Sequence, residues 1–460
     1  MSSQKISVRV IYPGERRRES GHQVLCRINK DVKLEPAALE AFCFKQITDQ
    51  DLELMFLAGA IAFIDRTVRR LVEKGWRRQL HVVMPVARPR FWQQPAIVGS
   101  IVSALQFLTG DAWSFEFPKA SMPLRSFKQA ELDLGQGDFV VIPFSNGLDS
   151  FAQSRLLKVE GINATPVRVT AWNRGLAGSR EWITDDDGSK YRRVAVPIKL
   201  VTKPNAEQSF RTRTFVFSVL AGLAASLANA RQIVIPEAGQ GALGPSLVPF
   251  GAESPHRGSH PGFSRRMMIF FEAFWGKHVS IDHPQLWRTK GKVLSALKDA
   301  GVHSGWDKTR SCSRDQRVIR TERHKLLHCG ICSGCLLRRM AVFSAGLEEQ
   351  ADKYLWSNLS ADSLDGALCS DALSRTTTND RDIAVHSVLA MEELARVGER
   401  SGDQLRIRST LLDAYGNDSE KISTEADKLR SLLSTHRSEW RAFTDVIGKR
   451  SWIAQQIALI

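Results

Sequence analysis

The sequence predicts an α/β protein: a parallel-sheet core, an α/β segment before it and a helical region after it. Three observations carry that reading. Short runs rich in β-branched residues alternate with longer stretches of helical period, the rhythm of βαβ units. One such run, Phe139 to Phe144, passes through Ser145-Asn146-Gly147-Leu148-Asp149-Ser150 into the helix-compatible FAQSRLLKVE. In the last quarter only helical periodicity remains. The 460 residues suffice for two to four domains, and an apolar fraction of 43% is that of a globular chain. The expected organisation is an N-terminal α/β domain over 1–133, the sheet core with a cysteine module over 138–347, and helices over 348–460.

Taken in order, Ile6, Val8 and Val10 alternate with polar residues as a strand with one wet face. Glu15-Arg16-Arg17-Arg18-Glu19, flanked by Gly14 and Gly21, reads as a hairpin loop into a second strand at Val24 to Ile28. Leu54, Leu57, Ile61, Ile64, Val68 and Leu71 recur at spacings of three and four, the apolar stripe of a helix that Gly75 closes. Leu80 to Val86 is a strand, Ala96 to Leu108 a helix, and Trp113, Phe115 and Phe117 alternate as a strand. No catalytic grouping stands out here. Arg88, Arg90 and Trp92 read as a loop surface, with contact to an anion or a base as the alternative.

The stretch 139–150 is a buried strand, a tight polar turn and a helix start. The first N–H groups of such a helix are unpaired and its dipole favours an anion, so this is the local chemistry of a phosphate site. Gly147 admits close backbone approach, Ser145 and Ser150 offer hydroxyl donors, and Asp149 is placed to hold magnesium between phosphates. There is no Gly-Lys-Ser/Thr, so it is not a Walker A loop; by itself the stretch is equally compatible with an ordinary Asn-Gly turn. It resembles the S-G-G-x-D-S loop of the PP-loop ATP pyrophosphatases, which split ATP between its α and β phosphates to adenylate a substrate.

Further strands are expected at Pro166 to Trp172, Val194 to Val201 and Gln232 to Ile235, with an apolar helix over Thr212 to Ala230. Asp185-Asp186-Asp187-Gly188 reads as a turn and not a metal site, because it lacks the EF-hand spacing. Ligands of open parallel sheets bind at the carboxyl ends of strands, which brings the Gly-rich loop Pro236 to Gly241 to the same edge as Ser145 to Ser150. A helix follows from about Ser264 to Trp275. In the tail, helices are expected over Ile383 to Val397, Leu405 to Tyr415, Ile422 to Leu433 and Trp440 to Ile460, after a linker at Arg375 to Asp380.

The net charge of +15 is uneven: residues 348–460 hold 14 Lys or Arg against 19 Asp or Glu, so the first 347 residues carry +20. A basic body suits a nucleotide, a nucleic acid or an acidic protein partner, although a solvated surface accounts for charge alone. Met1 to Lys5 runs straight into strand pattern without a signal peptide, and the longest apolar stretch, Leu52 to Ile64, is interrupted by Glu53 and too short for a bilayer. The expectation is a cytoplasmic protein with no membrane contact.

Four of the seven cysteines, Cys312, Cys329, Cys332 and Cys335, are spaced C-x16-C-x2-C-x2-C. Four thiolates close a tetrahedral shell, which makes a structural zinc the first choice; an iron–sulfur cluster is the alternative. His324 and His328 are expected at the surface or behind the ligands.

The flanks of this module extend the resemblance. Thr309-Arg310-Ser311-Cys312, then His328-Cys329-Gly330, Cys332, Cys335 and Arg338, resemble the T-x-S-C and H-C-G-x-C-x2-C-x2-R motifs of the 7-cyano-7-deazaguanine synthase (QueC) family. Arg213 to Phe217 resembles its R-N-x-x-F helix start, with Thr214 for Asn, and Thr289-Lys290 its T-K helix start. The resemblance covers about residues 138–347. It implies a PP-loop fold of the adenine nucleotide alpha-hydrolase type, one structural zinc, and use of ATP and magnesium to adenylate a 7-deazaguanine carboxylate before amide formation. Carried over, Ser145 to Ser150 bind the nucleotide, Asp149, Ser150, Arg213 and Lys290 are catalytic, and the four cysteines bind the metal. The chain departs from the family at Asn146, where the family has Gly, at Trp172-Asn173-Arg174-Gly175, and at His260 to Arg265. Its extra length resembles the enlarged QueC-like component of the Qat anti-phage defence system of bacteria. That likeness implies an amine on a partner protein as acceptor. Alternatives are nitrile synthesis with ammonia, an RNA-modifying PP-loop enzyme, and a non-catalytic nucleotide sensor.

Overall fold

The computed structural model describes residues 5–15, 23–43, 47–71, 76–121, 139–145, 147–170, 181–184, 190–201, 206–207, 209–248, 255–314, 327–373 and 375–459. The elements in chain order are β1 (Lys5–Ile11), β2 (Gln23–Arg27), β3 (Val32–Leu34), α1 (Ala37–Cys43), α2 (Asp49–Thr67), β4 (Gln79–Val83), α3 (Pro89–Trp92), α4 (Pro95–Thr109) and β5 (Ala112–Glu116). Next come β6 (Val140–Pro143), α5 (Leu148–Val159), β7 (Ala164–Thr170), β8 (Glu181–Thr184), β9 (Lys190–Leu200), α6 (Arg213–Leu227), β10 (Gln232–Val234), α7 (Gly239–Leu247), α8 (Pro261–Trp275) and β11 (Ile281–Asp282). Helices α9 (Lys290–Asp299), α10 (Ser333–Ser344), α11 (Thr378–Arg396), α12 (Asp403–Tyr415), α13 (Ser419–Ile447) and α14 (Trp452–Ile457) complete the order. Asn146, Gly75, Trp172-Asn173-Arg174-Gly175, Asp185-Asp186-Asp187-Gly188 and His324 lie outside the described residues.

The chain divides into two compact units, each discontinuous. The first comprises Met1–Ser145, Glu160–Ile235 and Gly251–His283; the second comprises Asn146–Val159, Pro236–Phe250 and Pro284–Ile460.

The first unit is α/β. It holds a parallel sheet of order β2-β1-β4-β5 and a larger sheet of order β11-β10-β6-β7-β9-β3, in which β8 also pairs with β9. The second sheet is parallel from β11 to β9; β3 and β8 join β9 antiparallel. The hairpin expected after β1 is not one: β2 lies parallel to β1, with Val8 opposite Val24. Basic and glycine residues between two strands read as a tight turn, but they also occur in a longer crossover, and pairing direction is not a local property. Helix α2 is buried on nearly every side and stops at Thr67, with Val68 extended, so it ends before Leu71 and Gly75. Thr48 and Asp51 cap its start reciprocally. A side chain at Gly59 would come within 2.8 Å of Val32, so this glycine lets α2 lie close on β3. Glu53, the charge within the apolar run, is fully buried; its carboxylate accepts from Trp92 Nε1 at 2.6 Å and from the Ala87 N–H.

A buried ion cluster ties this unit together. Asp111 accepts from Arg70 Nη2 at 2.7 Å and from Arg78 Nη2 at 2.6 Å, and Arg78 also reaches Asp65 at 2.7 Å. Asp65 accepts in addition from the Thr212 N–H at 2.8 Å. Burial opposes the Asp65 charge, but Arg78 and Arg70 outweigh it and hold its carboxyl below the usual range. The cluster joins the end of α2, the entries to β4 and β5, and the start of α6.

The second unit is helical. Thr377 and Asp380, expected in a linker, form the capping box that starts α11, and Asp380 pairs with Arg314. Two helices expected over Ile422–Leu433 and Trp440–Ile460 are instead one long helix, α13, ending at Gly448, and the short α14. The expected loop at Gly239 to Gly241 is the first turn of α7. Among the described residues, no helix is long and apolar enough to cross a membrane.

Candidate functional site

Two groups of side chains in the second unit carry chemistry. In the first, Cys332 is the N-cap of α10 and Cys335 lies in its first turn, so a helix start presents two thiols. Cys312 and Cys329 complete a group of four sulfurs that all lie within 4.8 Å of one another. The Cys329 N–H points at Cys312 Sγ and the Cys332 N–H at Cys329 Sγ, both at 3.3 Å, which favours thiolate over thiol. Gly330 has φ +94°, and a side chain there would come within 2.5 Å of the Trp356 carbonyl; the turn between Cys329 and Cys332 requires glycine. Behind the sulfurs, fully buried Arg338 donates to Thr309 Oγ1 at 2.8 Å, to the Thr309 carbonyl at 3.0 Å and to Glu349 at 2.7 Å. The arginine of the C-x2-R element therefore anchors the T-x-S-C segment that brings Cys312 in. His328 is buried, its ring lies tilted against that of Tyr354 with centroids 5.5 Å apart, and its Nδ1 has no hydrogen-bond partner among the described residues.

The second group is built at three helix starts, those of α5, α7 and α9. Lys290 is the first residue of α9, after its N-cap Thr289. Its Nζ lies 2.6 Å from Asp149 Oδ2, at the start of α5, and 3.9 Å from Glu237 Oε1, just before α7. Burial opposes the ammonium charge, but Asp149 and Glu237 raise its pKa above the usual value, so Lys290 stays protonated. Burial and the neighbouring Asp149 push the Glu237 carboxyl up to about 7, with Lys290 opposing. Asp149 Oδ1 is buried and has no hydrogen-bond partner among the described residues. A Cβ at Gly241 would fall 2.0 Å from Glu237 Oε1, so glycine in the first turn of α7 makes room for this carboxylate.

The lysine is positioned from behind by a directed chain. The Lys290 N–H donates to Gln240 Oε1 at 2.8 Å, and Gln240 Nε2 lies 2.7 Å from His436 Nδ1. The amide of Gln240 therefore donates, His436 Nδ1 accepts, and His436 Nε2–H donates to the Met391 carbonyl at 3.0 Å. Burial lowers the His436 pKa to about 4, which keeps it neutral, and its two hydrogen bonds select that tautomer. Alongside, Thr289 Oγ1 donates to Glu439 at 2.6 Å and accepts from the Lys292 N–H.

Of the expected site residues, Asp149 and Lys290 come together. Leu148 is buried in an apolar cluster with Ala152 and Leu294. Ser150 is also buried, but its hydroxyl donates to the Gly147 carbonyl at 3.0 Å and so staples the turn instead of pointing at a ligand. Ser145 is exposed and ends the first segment of the first unit. Arg213 belongs to the first unit, where it opens α6 with its guanidinium over Phe217 and its pKa lowered by burial. Glu237, Gln240, His436 and Glu439 carry no motif; their one sequence signal is acidic or amide character next to a glycine-rich or apolar helix start. No protein-family model, curated protein or solved structure matches the chain.

Proposed function

We propose that this is an ATP-dependent adenylating enzyme with a PP-loop core of the 7-cyano-7-deazaguanine synthase type. Its substrate is a 7-deazaguanine carboxylate, and its acceptor is an amine on a partner protein of a bacterial anti-phage defence system. The observation that carries the reading is the Lys290–Asp149 pair at the start of α5, 2.6 Å apart, with Glu237 beside it. A carboxylate is a poor electrophile. Attack of its oxygen on the α-phosphorus of ATP breaks the bond to the β-phosphate, releases pyrophosphate and leaves the acyl group on AMP; the amine then displaces AMP. Lys290 supplies a fixed cation for the departing charge, and the first N–H groups of α5 supply a second favourable field. Asp149 Oδ1, buried without a partner among the described residues, and Glu237 fit a magnesium ion, which when bound neutralises phosphate charge.

The four cysteines fit one structural zinc. A tetrahedral ion with Zn–S bonds of about 2.3 Å places its sulfurs ~3.8 Å apart, and Cys329 Sγ and Cys335 Sγ are 3.7 Å apart. An iron–sulfur cluster distributes its thiolates over separate irons and needs a wider shell.

With ATP, magnesium, 7-carboxy-7-deazaguanine and the partner present, the expected products are AMP and pyrophosphate, with a mass increment on the partner. Asp149→Ala should lower the rate on the order of a hundredfold or more. Release of ADP instead of AMP, or full activity in Asp149→Ala, would refute the reading.

A further inference from the structure

The first unit contains a cavity lined by three basic side chains. We propose that the cavity outside the carboxyl ends of β4 and β5 binds a small nucleoside phosphate. The cavity measures about 560 Å³, a nucleotide-sized space, and is lined by Arg88, Arg90, Phe91, Gln94, Lys119 and the backbone of 87–89. Three cations and no carboxylate line it.

Its place follows from topology. All four strands of the β2-β1-β4-β5 sheet are parallel, and the order reverses between β1 and β4. Open parallel sheets take ligands outside the carboxyl ends of their strands, and this lining follows β4 and β5, one strand over from that reversal. The walls are fixed in advance. Val86 N–H donates to the Pro118 carbonyl at 2.8 Å and Ala120 N–H returns to Val86 at 2.9 Å, so the segments after β4 and β5 stay paired beyond the strands. Buried Glu53 holds the cavity segment at both ends, accepting from the Ala87 N–H at 2.5 Å and from Trp92 Nε1 at 2.6 Å.

The cations are left for a ligand. None of the three forms an ion pair among the described residues. Arg88 reaches only the Gln50 amide, at 3.4 Å, and its guanidinium lies over the Phe91 ring at 5.7 Å. Lys119 spends one N–H on the Ala87 carbonyl and keeps two. Arg90 makes no hydrogen bond or ion pair with any described residue. Buried Glu53 accepts from the Ala87 N–H and Trp92 Nε1 and also feels the charge of Lys119, without forming an ion pair with it, so Arg88 and Arg90 are the freer of the three cations. Half-buried Phe91 adds an apolar flank beside the cations, and a flat base pairs with that flank as phosphate pairs with the guanidinium forks.

The test uses the full chain and AMP as probe, by calorimetric titration, in wild type and Arg90→Ala, each also carrying Asp149→Ala. Removing Asp149 silences the proposed ATP loop, so the two sites are read separately. The expected result is AMP binding that survives Asp149→Ala, weakens about tenfold or more in Arg90→Ala, and is about tenfold weaker for adenosine. Arg90 is exposed, so its loss leaves the fold intact; a Lys119→Ala variant should weaken AMP in the same direction. Equal affinity for AMP and adenosine, unchanged affinity in both variants, or preference for single-stranded RNA over AMP would each overturn the proposal.

Discussion

Lys290 sits between two carboxylates with its side chain 7% exposed, and that placement decides what substitution there does. Lys290→Met leaves Asp149 buried beside an apolar chain, a loss of about 3 kcal/mol or more. The double variant Asp149→Asn/Lys290→Met removes both charges, so its urea midpoint should return most of the way to wild type while ATP cleavage stays absent. That pattern, measured side by side, separates a catalytic from a structural role. His436 gives a second prediction. Its folded pKa of about 4 lies below the ordinary 6.5, so the unfolded chain binds the extra proton between those values. The stability it contributes, about 3 kcal/mol, is present above pH 6.5 and lost as pH falls toward 4. Urea unfolding across that window should show a flatter pH dependence in His436→Asn than in wild type. Of these residues the sequence announces Asp149 and Lys290, because each sits in a local pattern: a polar turn before a helix, and a Thr-Lys helix start. It does not announce Gln240, His436 or Glu439. Their roles arise from contacts between segments far apart in the chain, and an isolated His or Gln on a helix has no spacing that marks it.

Helix α13 shows the same division among elements. Its polar stretch between Leu433 and Trp440 reads as a gap between two helices, yet it contains no Gly or Pro, and Gly448 is the first residue that ends the helix. That stretch carries His436 and Glu439 to the α9 start. Thr289→Ala removes both the N-cap of α9 and the bond to Glu439, and should cost about 1–2 kcal/mol in thermal or urea unfolding. Glu439→Gln keeps the acceptor and should cost less. In the glycine-led α7, Gly241→Ala places a methyl where the Glu237 carboxylate lies and should cut ATP cleavage more than it lowers stability. The hairpin expected at the N-terminus failed for a related reason: alternation locates strands, but the partner and direction of β1 are set by tertiary pairing.

The whole molecule divides into an α/β unit and a helical unit, and each takes up separated stretches of chain. The alternation of strand and helix signals was enough to read the α/β class and the cysteine spacing enough to read the four-sulfur group. Membership of α5 and α7 in the helical unit was not readable, since nothing local distinguishes their apolar faces from those of α6. If the four sulfurs hold zinc, a strong chelator should melt the surroundings of α10, where Cys335, Leu336, Tyr354 and Trp356 share one core, while amides of β1, β4 and α2 keep their exchange protection. Cys332→Ser should behave like the chelated protein. The interrupted layout also fixes a birth order. On the ribosome α5 and α7 emerge before α9, and α13 comes last, so Asp149 and Glu237 are made before the lysine they face and well before the helix that carries His436. A chain broken off before α13 holds Asp149, Glu237 and Lys290 but lacks His436 and Glu439, the groups that fix Gln240 and Thr289 behind the lysine.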